Sequence, residues 1–165
     1  MESKLLYDLS VSIVCYKNNI SELKNVVHSV LDSQNVNLIL YLVDNSPTNA
    51  LRDIFVDNRI IYIFNNANIG FGAGHNLAIR KSIEAGFKYH LVLNPDIYFD
   101  SKVLSTIVTF MEQSNVSLLM PKIINPDGSI RKVRRRLPTP LDIFGRFILP
   151  PFLFPFYENG SKTIP

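Results

Sequence analysis

Apolar residues follow two different spacings along the chain. Short apolar runs that end at polar or turn-forming residues are typical of buried β-strands, and apolar residues that recur every three or four positions are typical of amphipathic helices. Segments of these two kinds alternate, which favours an α/β fold with a doubly wound, mostly parallel sheet flanked by helices. The predicted strands are residues 9–16, 37–43, 59–64, 88–94 and 117–124, and the predicted helices are residues 20–34, 74–85 and 101–114.

The regular pattern ends near residue 137. The residues that follow are rich in proline and aromatic side chains and have neither strand nor helix spacing. A chain of 165 residues that is 47% hydrophobic can bury one core. We therefore predict one domain over residues 1–137 and an irregular segment over residues 138–165. Its most apolar part, residues 143–157, contains Arg146 and three prolines, so we expect no continuous membrane-spanning helix there.

The net charge of +3 is modest, but residues 131–136, with the sequence RKVRRR, place five cations in six positions. This basic cluster is compatible with a solvated surface segment, an anion-binding strip or a patch that rests on acidic lipid. Nothing around it supplies a recognition helix or an aromatic stacking platform, so we expect no nucleic acid partner.

Cys15 is the only cysteine and lies in an apolar run. A disulfide within the chain is therefore excluded, and we expect a buried thiol in a protein of a reducing compartment. The first 19 residues contain only short apolar runs, broken by Lys4 and Asp8, which makes a poor secretory signal. These features favour a cytoplasmic location.

The residues that close the predicted strands are the candidates for binding. In an open α/β sheet, ligands bind outside the carboxyl ends of the strands, and these ends share one edge. The first four predicted strands end in polar or glycine-rich segments. These segments are residues 15–17, 44–46, 65–74 and 94–96.

The glycine-rich segment has two alternative interpretations. It follows a strand, as a dinucleotide-binding fingerprint does, but the fingerprint follows the first strand and has a third glycine where His75 stands. The glycines could instead adopt positive φ or allow a helix to pack closely on the sheet. If Gly74, His75 and Asn76 open the helix, its free N–H groups would favour an anion.

Two acidic residues at strand ends are candidates for ligand recognition. Asn94 and Asp96, separated by Pro95, would suit a hard divalent cation shared with phosphate oxygens, although a helix-initiating turn would also explain Pro95 and Asp96. Asp44 could cap a turn through its own backbone. It could equally accept a hydrogen bond from the imide N–H of uracil or thymine, which cytosine lacks.

Taken in order, five segments resemble the inverting family 2 glycosyltransferases with the GT-A fold, and within them the rhamnosyltransferase-like branch. The segments are VSIVCYKN, LVDNSP, NxGFGAGHN, LVLNPD and PDGSIRKVRRRLPTP, and the resemblance covers about residues 9–140. It implies a Rossmann-like sandwich that binds a nucleotide diphospho-sugar. The sites that it implies are a base pocket at the first two strand ends, a floor formed by the glycine segment, and a sugar-diphosphate site at the fourth strand end. The implied donor-binding residues are Cys15, Tyr16, Lys17, Asp44, Asn45, Gly70, Gly74, Asn76, Asn94 and Asp96.

The resemblance also implies a metal and a donor. Asn94-Pro95-Asp96 stands where this family usually has Asp-x-Asp, so Asp96 would ligate Mg²⁺ or Mn²⁺ on the donor diphosphate. Asn94 replaces the aspartate that commonly meets the ribose, which fits a deoxyribose donor such as dTDP-L-rhamnose. UDP-linked sugars remain an alternative.

The catalytic base of the resembled family lies further along the chain, around a Gly-Phe-Asp-Glu stretch and a Glu-Asp pair. After residue 137 this sequence has only Asp142 and Glu158 as acids, and neither lies in such a context. We therefore expect the base beyond residue 165, and weak or no transfer by this chain, which would be a donor-binding half or a truncated product.

The work of the family on glycans and lipid-linked acceptors implies a role in cell-surface polysaccharide or lipopolysaccharide synthesis, with peripheral contact at the inner face of the membrane. Two other classes remain open, which are a nucleotide-binding module without chemistry and a dinucleotide-binding oxidoreductase.

Overall fold

The computed structural model of the chain describes residues 8–125 and 127–131. These residues belong to two units, one ending at Leu119 and the other beginning at Met120. The first unit contains β1 (Asp8–Cys15), α1 (Ile20–Leu31), β2 (Asn37–Asp44), β3 (Ile60–Phe64), α2 (Phe71–Glu84), β4 (Tyr89–Leu93) and α3 (Val103–Ser114). The second contains β5 (Ile123–Ile124) and β6 (Ile130–Arg131).

The first unit is built on a parallel sheet with the strand order β3-β2-β1-β4. The chain moves outward from β1 to β2 and β3, and α2 then carries it back to β4 on the other side of β1. Parallel strands need such crossovers, and the resulting central strands are buried on both faces. The α/β class and the parallel sheet predicted from the sequence are confirmed.

The helices cover the two faces of the sheet differently. α1 and α3 pack on the face that carries Leu9, Val11 and Ile13 of β1, and α1 contributes buried residues at helical spacing, Leu23, Val26, Val27 and Val30. α2 packs on the opposite face, where Ala78 meets Val14, Tyr41 and Val43. This distribution of helices over both faces is the doubly wound arrangement that the alternation of elements predicted.

Two predicted helix boundaries were wrong, and the first is the end of α1, which lies at Leu31 instead of Gln34. Helix α2 begins at Phe71 instead of about Gly74, because Gly70 adopts a φ of 88° and serves as the N-cap. Its predicted end is confirmed, since Gly86 has a φ of 78° directly after the C-cap and donates its N–H to the carbonyl of Ile83.

The predicted fifth strand, residues 117–124, was wrong in length and in pairing. Only Ile123–Ile124 is a strand, and it pairs antiparallel with β6 in the second unit. Pro121 lies inside the predicted run and has no N–H to donate to a sheet ladder. The turn predicted at residues 125–129 is confirmed, since Gly128 donates its N–H to the carbonyl of Asn125.

Several expectations fall on parts of the chain that lie outside the described residues. They are the domain boundary at residue 137, the segment 138–165 and the side chains of the basic cluster at 131–136. Among the helices of the described part, none combines the length and the apolar composition needed to cross a membrane.

Candidate functional site at the carboxyl edge of the sheet

The four parallel strands bring their carboxyl ends to one edge, as predicted. β1 lies between β2 and β4, so Asp44 at the end of β2 and Asp96 after β4 lie on either side of Tyr16. Neighbouring strands are about 4.8 Å apart, which puts β2 and β4 about 10 Å apart. The chain adds β2 and β3 on one side of β1 and β4 on its other side, so the topological switch point of the sheet lies between β1 and β4. The crevice outside such a switch point is the usual ligand site of an open α/β sheet.

The Asp44 carboxylate is held at both oxygens. Oδ1 accepts a hydrogen bond of 2.9 Å from the N–H of Ser46, and Oδ2 accepts one of 2.6 Å from the hydroxyl of Tyr62. The first bond is the turn cap that the sequence offered as an alternative role for Asp44. The residue is 0% exposed, so contact with a base requires a local movement of the residues that cover it.

Asn45 joins the loops of this edge through its hydrogen bonds. Its N–H donates to the carbonyl of Cys15 at 2.8 Å, its Nδ2 donates to the carbonyl of Gly70 at 3.3 Å, and its Oδ1 accepts from Nδ2 of Asn65 at 2.7 Å. The residue is buried. Its backbone therefore ties the end of β2 to the end of β1, and its side chain ties it to the end of β3 and the N-terminus of α2, which is a scaffolding role in addition to the predicted binding role.

The end of β1 presents one buried and two exposed side chains. Burial, followed by the nearby charge of Asp44, raises the pKa of the Cys15 thiol to about 12, so the thiol stays protonated and the expected buried cysteine is confirmed. Tyr16 and Lys17 are exposed at the edge, and the Lys17 ammonium lies 5.4 Å from the centre of the Tyr16 ring. Lys17 has a φ of 53° and donates its N–H to Oγ of Ser46 at 3.0 Å.

The glycines between β3 and α2 have structural roles. Gly70 needs its positive φ, and a Cβ on Gly74 would lie 2.9 Å from both methyl groups of Val14, so this glycine permits close packing of α2 on the sheet. The structural interpretation of the segment is confirmed for these two glycines.

The N–H groups that open α2 are those of Phe71, Gly72 and Ala73, because Gly74 already donates to the carbonyl of Gly70 at 3.1 Å. The prediction that Gly74, His75 and Asn76 open the helix was therefore wrong. Asn76 lies one turn further along and is exposed.

Asn94 and Asp96 are both exposed in the loop after β4. The carbonyl of Asn94 accepts a hydrogen bond of 3.3 Å from the N–H of Ile97, so the segment forms a turn. Helix α3 begins only at Val103, so this turn does not initiate a helix as the alternative interpretation expected. In the part of the chain that the structure describes, no group of three or more His, Cys, Asp or Glu side chains is arranged around a metal position. One exposed carboxylate fits Mg²⁺ or Mn²⁺ only where ligand phosphates and water complete the coordination, which is the usual state of protein-bound Mg²⁺.

The sequence pattern of the family described as Glycosyl transferase family 2 matches residues 10–162. The match covers most of the chain, and the chain therefore belongs to glycosyl transferase family 2. This assignment argues against the dinucleotide-binding oxidoreductase that the glycine segment left open.

Two characterised relatives are similar to part of the chain. The low-salt glycan biosynthesis hexosyltransferase Agl10 of Haloferax volcanii is 31% identical over 129 residues, which are 78% of this chain and 40% of the relative. The dTDP-rhamnosyl transferase RfbF of Shigella flexneri is 25% identical over 109 residues, which are 66% of this chain and 37% of the relative. The chain thus spans about two fifths of the length of these relatives.

Solved structures of TarS from S. aureus share the fold. The structure of TarS 1-349 with UDP-GlcNAc has a TM-score of 0.55 and 18% identity, and the match covers 66% of this chain and 32% of TarS 1-349. A longer TarS chain gives a TM-score of 0.51 at 17% identity, with 66% of this chain and 20% of that chain covered. The GT-A fold expected from the resemblance is confirmed.

Proposed function

We propose that the carboxyl edge of the sheet binds the nucleotide diphosphate of a sugar donor, and that the chain is the donor-binding part of a glycosyltransferase. The observation that carries this proposal is the placement of Asp44 and Asp96 on either side of the end of β1. This placement offers one acidic group for a pyrimidine base and another for a metal–diphosphate, with exposed Tyr16 and Lys17 between them.

In this proposal each group of the edge has a distinct role. Asp44 accepts the imide N–H of the base, and Tyr16 lies against the nucleoside. Asp96 would hold Mg²⁺ or Mn²⁺, which when bound would neutralise the charge of the leaving diphosphate. Asn94 lies beside the ribose, while Gly70, Gly74 and Asn76 form the floor next to the sugar.

The donor proposed first is dTDP-L-rhamnose. An uncharged Asn94 suits a deoxyribose that has no 2′-hydroxyl, and the relative from Shigella flexneri carries the name dTDP-rhamnosyl transferase. A UDP-linked sugar is the alternative, since TarS has been solved with UDP-GlcNAc.

The acceptor is proposed to be a glycan or a lipid-linked glycan on the cytoplasmic side of the membrane, with the basic cluster at 131–136 resting on anionic lipid. The name of the Haloferax volcanii relative, a glycan biosynthesis hexosyltransferase, agrees with such an acceptor. The general base of an inverting transfer is proposed to lie beyond residue 165, so the chain would bind donor but transfer sugar weakly. A nucleotide-binding module without chemistry is the second candidate. Sugar transfer by a longer chain that contains a general base would favour the glycosyltransferase, and nucleotide binding without transfer would favour the module.

The test is calorimetric titration of the chain with dTDP, UDP and NAD, with and without Mn²⁺. We expect dTDP and UDP to bind in a metal-dependent manner, and Asp96→Ala to weaken this binding at least about tenfold, the equivalent of about 1.4 kcal/mol. The matched control is Asp53→Ala, which removes an exposed carboxylate from the turn between β2 and β3. Metal-independent binding of NAD, or equal effects of the two variants, would contradict the proposal.

A further inference from the structure

Tyr62 donates a hydrogen bond to the Asp44 carboxylate, although the sequence pattern did not single it out. It lies in the middle of β3 and pairs with Leu42 of β2, while Asp44 pairs with Phe64. Residues two apart on a strand share a face, and long side chains reach the diagonal neighbour on the next strand. The Tyr62 hydroxyl uses this diagonal to donate to Oδ2 of Asp44 at 2.6 Å.

The two hydrogen bonds to Asp44 restrain the carboxylate in different ways. The bond from Ser46 N–H to Oδ1 comes from the same turn and moves with it, whereas the bond from Tyr62 comes from a neighbouring strand. Together they fix the rotation of the carboxylate about its last side-chain bond. Each carboxylate oxygen can accept two hydrogen bonds, so both oxygens keep capacity for a further donor.

Tyr62 is itself held in place. Its ring packs against the core on the α1 and α3 face, and the Arg52 guanidinium lies 5.7 Å from the ring centre. Burial and the hydrogen bond to Asp44 raise the pKa of the Tyr62 hydroxyl, which therefore remains a donor. A rigid donor of this kind can pre-organise the acceptor before a ligand arrives.

We propose that Tyr62 is a positioning residue that orients the Asp44 carboxylate for pyrimidine bases with an imide N–H, and so sets the preference for uracil or thymine over cytosine. This inference rests on the proposed function, because it concerns the base pocket of the same donor site. A fixed carboxylate accepts the N3–H of uracil or thymine. It is unfavourable opposite the N3 of cytosine, which carries no hydrogen and is itself an acceptor.

The test compares Tyr62→Phe with Tyr89→Phe in the complete chain. Each variant removes one hydroxyl that donates to a carboxylate at 2.6 Å, but the partner of Tyr89 is Glu112, outside the strand-end edge. Binding of UDP, dTDP and CDP with Mn²⁺ is measured by calorimetry. We expect Tyr62→Phe to reduce the ratio of UDP to CDP affinity about tenfold, which is the scale of one hydrogen bond to a charged group, and Tyr89→Phe to leave the ratio unchanged.

A readout based on the ratio separates positioning from general destabilisation, since a partly unfolded chain loses both nucleotides equally. An unchanged ratio of UDP to CDP affinity in Tyr62→Phe overturns the inference. Tighter UDP binding by this variant also overturns it, because the hydroxyl would then block access of the base to Asp44. If the unaltered chain binds neither UDP nor dTDP, the proposed function itself fails. If it binds them and Tyr62→Phe leaves the ratio unchanged, only the inference about Tyr62 fails, so the two failures are distinguishable.

Discussion

The two faces of the parallel sheet differ in chemistry although they are made by the same strands. Leu9, Val11 and Ile13 of β1 meet α1 and α3 in an apolar layer. The alternate residues Ser10 and Ser12 face α2, which approaches through small and polar side chains. An apolar layer contributes stability through interactions that have no preferred direction. A layer of hydrogen bonds requires particular atoms to meet, and it therefore specifies one position of α2 on the sheet.

The layer beneath α2 contains a buried chain of hydrogen bonds. Ser10 Oγ lies 2.5 Å from Ser82 Oγ and 2.7 Å from Nδ1 of His90. Ser12 Oγ lies 2.8 Å from Nε2 of His90 and 2.8 Å from Nδ1 of His75. This series of hydrogen bonds ends at Nε2 of His75, which has no hydrogen-bond partner in the described part of the protein. The centres of the His75 and Phe71 rings are 4.3 Å apart.

The largest expected effect is on the apolar face. Leu40 of β2 is 0% exposed within this layer, so Leu40→Ala should lower the free energy of unfolding by about 2–5 kcal/mol through lost burial and a residual cavity. Urea denaturation followed by circular dichroism measures this loss. The control is Leu118→Ala at an 89% exposed position, expected within about 0.5 kcal/mol of the unaltered chain. Similar losses in the two variants would contradict the assignment of the core.

A smaller effect is expected where α2 touches the sheet. Gly74→Ala places a Cβ 2.9 Å from the methyl groups of Val14. Overpacking of this kind costs about 1–3 kcal/mol of unfolding free energy. The better helix propensity of alanine offsets up to about 1 kcal/mol of this cost. Thermal and urea unfolding measure the difference. Gly72→Ala is the matched control, because its Cβ meets nothing within 4 Å. If Gly74→Ala were as stable as Gly72→Ala, close packing would not explain this glycine.

The smallest expected effect is the response of the polar layer to acid. Burial and then the neighbouring His75 lower the pKa of His90 to about 4, and burial lowers the pKa of His75. The unfolded chain, with a histidine pKa of about 6.5, takes up protons first as the pH falls. The free energy of unfolding should therefore decline between about pH 6.5 and pH 4. The decline should be small, because His90 is partly exposed and solvent screens its charge.

Urea denaturation at a series of pH values checks this acid response. The His90→Gln variant should show a weaker decline in stability between pH 6.5 and pH 4. His28→Gln, which removes an exposed histidine of α1, is the control. A decline of equal size in the His90→Gln variant and the unaltered chain would show that the buried histidine chain does not cause it.

The fold of the first unit was largely predictable from the sequence, and the failures have local causes. Strands β1 to β4 and helices α1 to α3 carry strong periodic patterns, and all seven were predicted. The start of α2 was missed because a glycine N-cap leaves no side-chain signal. The fifth strand was overestimated because its apolar composition outweighed Pro121, whose missing N–H is incompatible with a central ladder.

The candidate site was predictable in outline only. Asp44 and Asp96 stand out because they follow apolar runs, and the parallel topology brings them to one edge, as expected. The contact between Tyr62 and Asp44 gives no local signal, since it joins residues 18 positions apart on different strands. Asn45 was predicted as a binding residue, but its scaffolding hydrogen bonds depend on loops that meet only in the folded chain.

The class of fold, the order of its main elements, the motifs of a family 2 glycosyltransferase and the residues at each strand end could be read along the chain. These depend on periodicity and on local turn chemistry, which are written along the chain. Three features emerged from the folded structure alone: the order of the strands in the sheet, the position of β1 between Asp44 and Asp96, and the hydrogen bond from Tyr62 to Asp44. Such features arise from pairing and packing between distant segments, and no local pattern of side chains encodes them.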